Sequence, residues 1–185
     1  MADDKTLLIQ LQGQETRNAA FETLVKAYQR MLYYHIRRMV QSHEDTDDIL
    51  QNTFVAVWRN IDKFRGDSSL KTWLYRIATN EAITFLNQQK KRAHQDMEVL
   101  ENAIQHSTSG QSVVDGDTIQ EKLKQAISKL PEKQRLVFNM RYFDEMSFKE
   151  ISAVLATSEG GLKANYHHAA KKIELFLTNG EWSLS

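Results

Sequence analysis

Apolar residues recur at intervals of three and four through most of this chain, a spacing that only an α-helix gathers onto one face. Phe21, Leu24, Val25, Tyr28, Met31, Leu32, Ile36 and Met39 form one such stripe. Leu50, Phe54, Val57 and Ile61 form a second, and Leu70, Trp73, Leu74, Ile77, Ala78, Ala82, Phe85 and Leu86 a third. With one proline and seven glycines among 185 residues, breakers are too few for a fold of short strands and tight turns. The spacing predicts an all-α protein. Between the second and third stripes, Phe64-Arg65-Gly66-Asp67-Ser68 reads as a turn, with Asp67 or Ser68 available to cap the helix that follows.

The pattern lapses over residues 93–118, whose later part, HSTSGQSVVDGD, is small, polar and acidic. This is read as a flexible linker, with room for a short helix near Met97–Ile104. It divides the chain into two small helical domains, 1–92 and 119–185. Total charge is balanced, but its distribution is uneven: +3 over 1–92, −5 over 93–118 and +2 over 119–185. Two mildly basic ends around an acidic middle favour local nucleic-acid contacts over a bulk basic footprint.

Composition excludes several classes. No cysteine means no disulfide and no thiolate metal site, and fits a reducing cytosol, so a cytoplasmic location is expected. No run of about 18 apolar residues is present, so no membrane insertion is expected. The start, MADDKTLLIQLQ, lacks the sections of a signal peptide. His35, His43, His94, His106, His167 and His168 are scattered without ligand spacing, and no nucleophile–base pair or phosphate loop stands out. No metal, no cofactor and no catalytic residue is therefore assigned, and the chain is not read as an enzyme.

The second half resumes with Ile119, Leu123, Ala126, Ile127 and Leu130, after which Pro131 opens a helix carrying Leu136, Val137 and Met140. Ser147-Phe148-Lys149-Glu150 has capping-box spacing and starts a short helix with Ile151, Val154 and Leu155 inward. Ala156 to Ser158 make a turn. The next helix brings Leu162, Tyr166, Ala169 and Ile173 within about 60° of one another. Its other side shows Gly160, Ala164, His167 and Lys171, flanked by Lys163 and His168. Small residues allow close approach and polar ones can donate hydrogen bonds, which is how a helix-turn-helix reads a major groove. A plain helical hairpin with a solvated Lys/His face is the competing reading.

Three motifs in register carry a resemblance. FRGDSSLKTWLYRIATNEAITFLNQQKKR (64–92) closely resembles the second conserved region of bacterial sigma factors of the extracytoplasmic-function (ECF) group. DDILQNTFVAVW (47–58) is similar to the core-polymerase-binding helix of that family, and LPEKQRLVFNMRYF…MSFKEISAVLATSEGGLKANYHHAAKKI (130–173) to its fourth region. The resemblance implies a protein that binds core RNA polymerase and directs it to promoters. The C-terminal domain would read the minus-thirty-five element as duplex, and the N-terminal domain would capture the minus-ten element as a melted strand. An anti-sigma partner is common in the family.

Carried onto this sequence, the polymerase contacts are Asp47, Asp48, Gln51, Asn52, Val55 and Trp58, with Asn52 where the family usually has an acid. An alternative role for Asp47 and Asp48 is to favour a helix N-terminus. The minus-ten contacts are Asp62, Lys63, Phe64, Arg65, Lys71, Arg76 and Asn80. Phe64, Trp73 and Tyr75 lie among these cations as candidate stacking surfaces. Trp73 sits on the apolar stripe and reads as core, and Phe64 fits either a plug or a base contact. The minus-thirty-five contacts are Lys149, Lys163, Ala164, His167, His168, Lys171 and Lys172. Here Gly161 replaces a usual hydroxyl residue, and Asn165, His168 and Ala170 stand where Arg is common. Fewer arginines mean fewer bidentate guanine contacts. Twenty-six linker residues span roughly 25–30 Å as flexible chain and about 85 Å extended, against on the order of 70 Å between promoter elements. The rival to a sigma factor is a stand-alone helix-turn-helix regulator with a sensing N-terminal domain.

Overall fold

The computed structural model describes residues 4–101 and 119–179, with backbone alone for 94–101 and Asn179. Most of the expected linker, 102–118, lies outside the described residues. Every described element is helical: α1 Asp4–Gln12, α2 Arg17–Val40, α3 His43–Asn60, a 3-10 turn Ile61–Lys63, α4 Leu70–Glu101, α5 Ile119–Ser128, α6 Glu132–Tyr142, α7 Phe148–Leu155 and α8 Glu159–Asn179. The described residues fall into two compact units, drawn from 1–86 with 149–157 and from 87–148 with 158–185. Helix α4 runs on to Glu101, past the compositional change at residue 92.

In the first unit α2 supplies Leu24, Leu32 and Ile36, all buried, with Phe21, Tyr28, Met31 and Met39 packed beside them. The expected stripe is thus the core face of this helix. Gln41 ends it in the left-handed region (φ 63°), and its N–H donates to the Arg37 carbonyl at 3.1 Å. The chain turns at once into α3, where the Ser42 hydroxyl accepts from the Asp45 N–H at 3.3 Å. The acids of that first turn are Glu44 and Asp45. Asp47 and Asp48 lie beyond it, where the helix dipole has largely faded.

The buried face of α3 is centred on Thr46, Ile49, Thr53 and Val57, with Leu50 and Phe54 at its edge. Two threonines can occupy a core because each hydroxyl donates back along its own helix, Thr46 to the Ser42 carbonyl and Thr53 to the Ile49 carbonyl at 2.7 Å. An apolar stripe alone does not reveal such residues.

Helix α1 adds Leu7 and Leu11 to this core. The Tyr28 hydroxyl donates to the Asp4 carboxylate at 3.0 Å. Burial, and then that carboxylate, push the Tyr28 hydroxyl up to about 12.

Helix α4 buries two faces. One holds Leu70, Trp73, Leu74, Ala78 and Ala82. The other holds Thr72, Tyr75 and Thr79, and here the buried His35 ring meets Thr79 Oγ1 at 2.9 Å and stands edge-on to Tyr75 with centroids 4.9 Å apart. The cap of α4 is Ser69, one residue beyond the pair expected: its Oγ accepts from the Thr72 N–H at 3.1 Å. In the preceding turn Gly66 has φ +80°, a conformation that glycine adopts without penalty.

In the second unit α5 and α6 pack on α8. Ala126, Ile127, Leu130, Phe138, Ala169, Ile173 and Phe176 form the core, with Leu123 and Tyr166 beside it. The Phe138 ring stacks on Tyr142 at 5.3 Å and on Tyr166 at 5.7 Å. Pro131 occupies the N-cap of α6, just outside the first helical position expected for it.

Candidate functional site

On α3 the side chains of Asp47, Asp48, Gln51, Asn52 and Val55 are exposed, as is Arg59. Val55 is 42% exposed, an apolar patch within a polar face. Trp58 is half-buried. Phe21 packs edge-on against it at 4.9 Å, and the Arg17 guanidinium lies 4.5 Å from its ring centroid. The six expected polymerase contacts therefore share one face, with Trp58 anchoring its end to α2.

The candidate strand-binding residues divide by exposure. Lys63, Arg65, Arg76 and Asn80 are exposed and Lys71 is half-buried. Arg76, Asn80 and Thr84 form a narrow polar stripe along α4, because its other two faces are buried; spacing from Arg76 and Asn80 would have pointed to Thr84. The aromatic expectation changes. Tyr75 is 1% exposed and Trp73 7% exposed, so neither offers a face to a base. Trp73 is core, as its place on the apolar stripe implied, whereas Tyr75 is held by a second buried face of α4 that a single stripe did not anticipate. Phe64 is half-buried, its ring 5.1 Å from that of Trp73. Asp62 is paired: Arg17 Nη1 donates to its two carboxylate oxygens at 3.0 and 3.2 Å.

In the first four turns of α8, Glu159, Gly160, Lys163, Ala164, His167, His168 and Lys171 are exposed, opposite the buried Leu162, Ala169, Ile173 and Phe176. A Cβ built at Gly160 would meet nothing within 4 Å. The Ser158 hydroxyl caps the helix, accepting from the Gly161 N–H at 3.3 Å. Lys163 lies 3.9 Å from Glu159, one turn back. Asn165 turns its amide onto its own helix, donating to the Gly161 carbonyl at 2.8 Å. Lys172 is half-buried, and Lys149 is exposed on α7. Among the described residues no group of three His, Asp or Glu side chains is arranged to hold a metal ion, and no helix is long and apolar enough to cross a membrane.

Two family models match the chain: Sigma-70 region 2 over residues 24–92 and Sigma-70, region 4 over residues 120–173. The ECF RNA polymerase sigma-E factor of Escherichia coli (strain K12) is 30% identical over 163 residues, covering 84% of this chain and 85% of that protein. The chain belongs to the ECF RNA polymerase sigma factors.

The RNA polymerase sigma-H factor of Pseudomonas aeruginosa is 30% identical over 179 residues, covering 92% of each chain. Among solved structures, CnrH in complex with the cytosolic domain of CnrY shares the fold at TM-score 0.68 and 24% identity, over 96% of this chain and 99% of that one. The sigma factor RpoE in complex with the anti-sigma factor NepR from Bartonella quintana does so at TM-score 0.65 and 21% identity, over 86% and 96%. As a sigma factor the protein binds DNA and acts in transcription initiation. The region 2 match begins inside α2, leaving α1 and Arg17 outside it. Both are nonetheless built into the same unit, α1 through Leu7 and Leu11 and Arg17 through Trp58 and Asp62.

Proposed function

We propose that this sigma factor docks on core RNA polymerase through the outward face of α3 and reads promoters in two forms. The turn from Asp62 to Ser68, with Lys71, Arg76 and Asn80 of α4, captures the minus-ten element as a separated strand. The exposed face of α8, with Lys149, reads the minus-thirty-five element as duplex. The observation that carries this reading is the exposure pattern of α8. Its small residues, Gly160 and Ala164, lie with Lys163, His167, His168 and Lys171 on the side opposite the core. A backbone can approach a groove closely there while side chains reach base edges and phosphates. On α4 the exposed cation Arg76 and the amide of Asn80 supply what strand capture requires, backbone attraction and a base-edge donor.

An anti-sigma protein is proposed as a further partner, since RpoE of Bartonella quintana, which shares the fold, is solved with one. The test is run-off transcription from candidate promoters with core polymerase and the purified chain. The native chain should give promoter-specific transcripts. Val55→Arg should lower affinity for core at least tenfold, by placing an unpaired charge in a docked face, without moving the melting temperature. Native core affinity in that variant would remove α3 from the interface.

A further inference from the structure

We propose that Arg17 is the positioning residue of the strand-capture turn, holding that turn against the end of the polymerase-docking helix. The proposal rests on the reading of α3 and of the Asp62 turn given above. Arg17 is the first residue of α2, yet its side chain joins two other elements. Nη2 donates to the Trp58 carbonyl at 2.8 Å, and Nη1 to both oxygens of Asp62 at 3.0 and 3.2 Å. The guanidinium also lies over the Trp58 indole at 4.5 Å. Its Nε is buried and has no partner among the described residues.

An exposed ion pair by itself does little for a fold, and the two side chains here are 25% and 56% exposed. The distinguishing feature is geometry. One planar fork grips a carboxylate and a backbone carbonyl together, which the point charge of a lysine does not reproduce. The Trp58 carbonyl is among the last four of α3, which have no partner within the helix, so the cation also satisfies the helix end.

The turn thus has two anchors, Asp62 on Arg17 and Phe64 on Trp73, and between and beyond them Lys63 and Arg65 are left exposed. An unpaired carboxylate in a strand-binding turn would repel the phosphate backbone. Paired with Arg17, Asp62 acts through the shape of the turn and not by touching DNA.

The experiment uses holoenzyme reconstituted from core polymerase and the full chain. The probe is a single-stranded oligonucleotide carrying the non-template minus-ten sequence of a promoter at which the native chain supports run-off. Arg17→Lys, Arg17→Ala and Asp62→Asn should each weaken oligonucleotide binding about tenfold, because a turn displaced by about an ångström loses its contacts. Affinity for core should stay within about twofold, and Arg17→Ala with Asp62→Asn together should be no worse than either alone, the signature of two residues acting as one unit. Unchanged binding in both Arg17 variants overturns the proposal. So do effects that add in the double variant, which would give Asp62 its own DNA contact. A parallel fall in core affinity and melting temperature would reduce Arg17 to a fold-supporting residue, again overturning it. If the native holoenzyme fails to bind the oligonucleotide, the strand-capture reading itself has failed.

Discussion

At the residue scale, side chains of the same type do different work according to what surrounds them. Lys171 and His167 are both exposed on α8, and chemistry separates their expected roles. A lysine on a phosphate contributes the same attraction at every sequence, whereas an imidazole facing base edges discriminates among them. Lys171→Ala should weaken promoter-duplex binding for all sequences and reduce the salt slope by about one, while His167→Ala should change the preferred upstream sequence. Fluorescence anisotropy with a panel of duplexes checks both; an unchanged preference in the His167 variant removes that residue from the base contacts. Asp62 shows the opposite kind of case. Sequence similarity places it among minus-ten contacts, but its carboxylate is occupied by Arg17, 45 positions away. No local pattern connects the two.

At the element scale, periodicity located the helices from α2 onward but not α1, and not always the centre of a buried face. On α3 the apolar residues Leu50 and Phe54 sit at the edge, and Thr46 and Thr53 sit in the middle. Back-bonding to the helix hides the polarity of a threonine hydroxyl, which the one-letter pattern does not record. On α4 the single stripe expected is one of two buried faces, since Tyr75 and Thr79 answer His35 across a helix pair. The cap of α4 gives a direct test. Ser69 accepts from the Thr72 N–H and its hydroxyl meets that of Thr72 at 2.8 Å. Ser69→Ala should cost about 1 kcal/mol of stability, read from urea unfolding, whereas Ser68→Ala should change it by no more than a few tenths. Equal losses in the two variants would move the cap to Ser68.

At the scale of the whole molecule, a chain of zero net charge is expected to rely on local cations and on its polymerase partner for promoter affinity. Lys149, Lys171 and Lys172 are the candidate phosphate contacts. Three neutralised phosphates give a slope of log K against log salt of about −3 for the free chain on duplex, and a much steeper slope would require cations beyond these. Titration between low and physiological salt measures it.

The helical class, the two patterned halves and the family were all legible in the sequence, because helix faces and contiguous motifs are written in neighbouring residues. The exposed face of α8 was legible for the same reason: at a fixed rotation per residue, burying Leu162, Ala169 and Ile173 turns Gly160, Ala164, His167 and Lys171 outward. Pairing between distant positions was decided only by the tertiary structure. Arg17 with Trp58 and Asp62, His35 with Thr79 and Tyr75, and Tyr28 with Asp4 depend on which helix lies beside which. A hydrogen bond of about 3 Å is a condition on three-dimensional distance, which spacing along a chain does not supply.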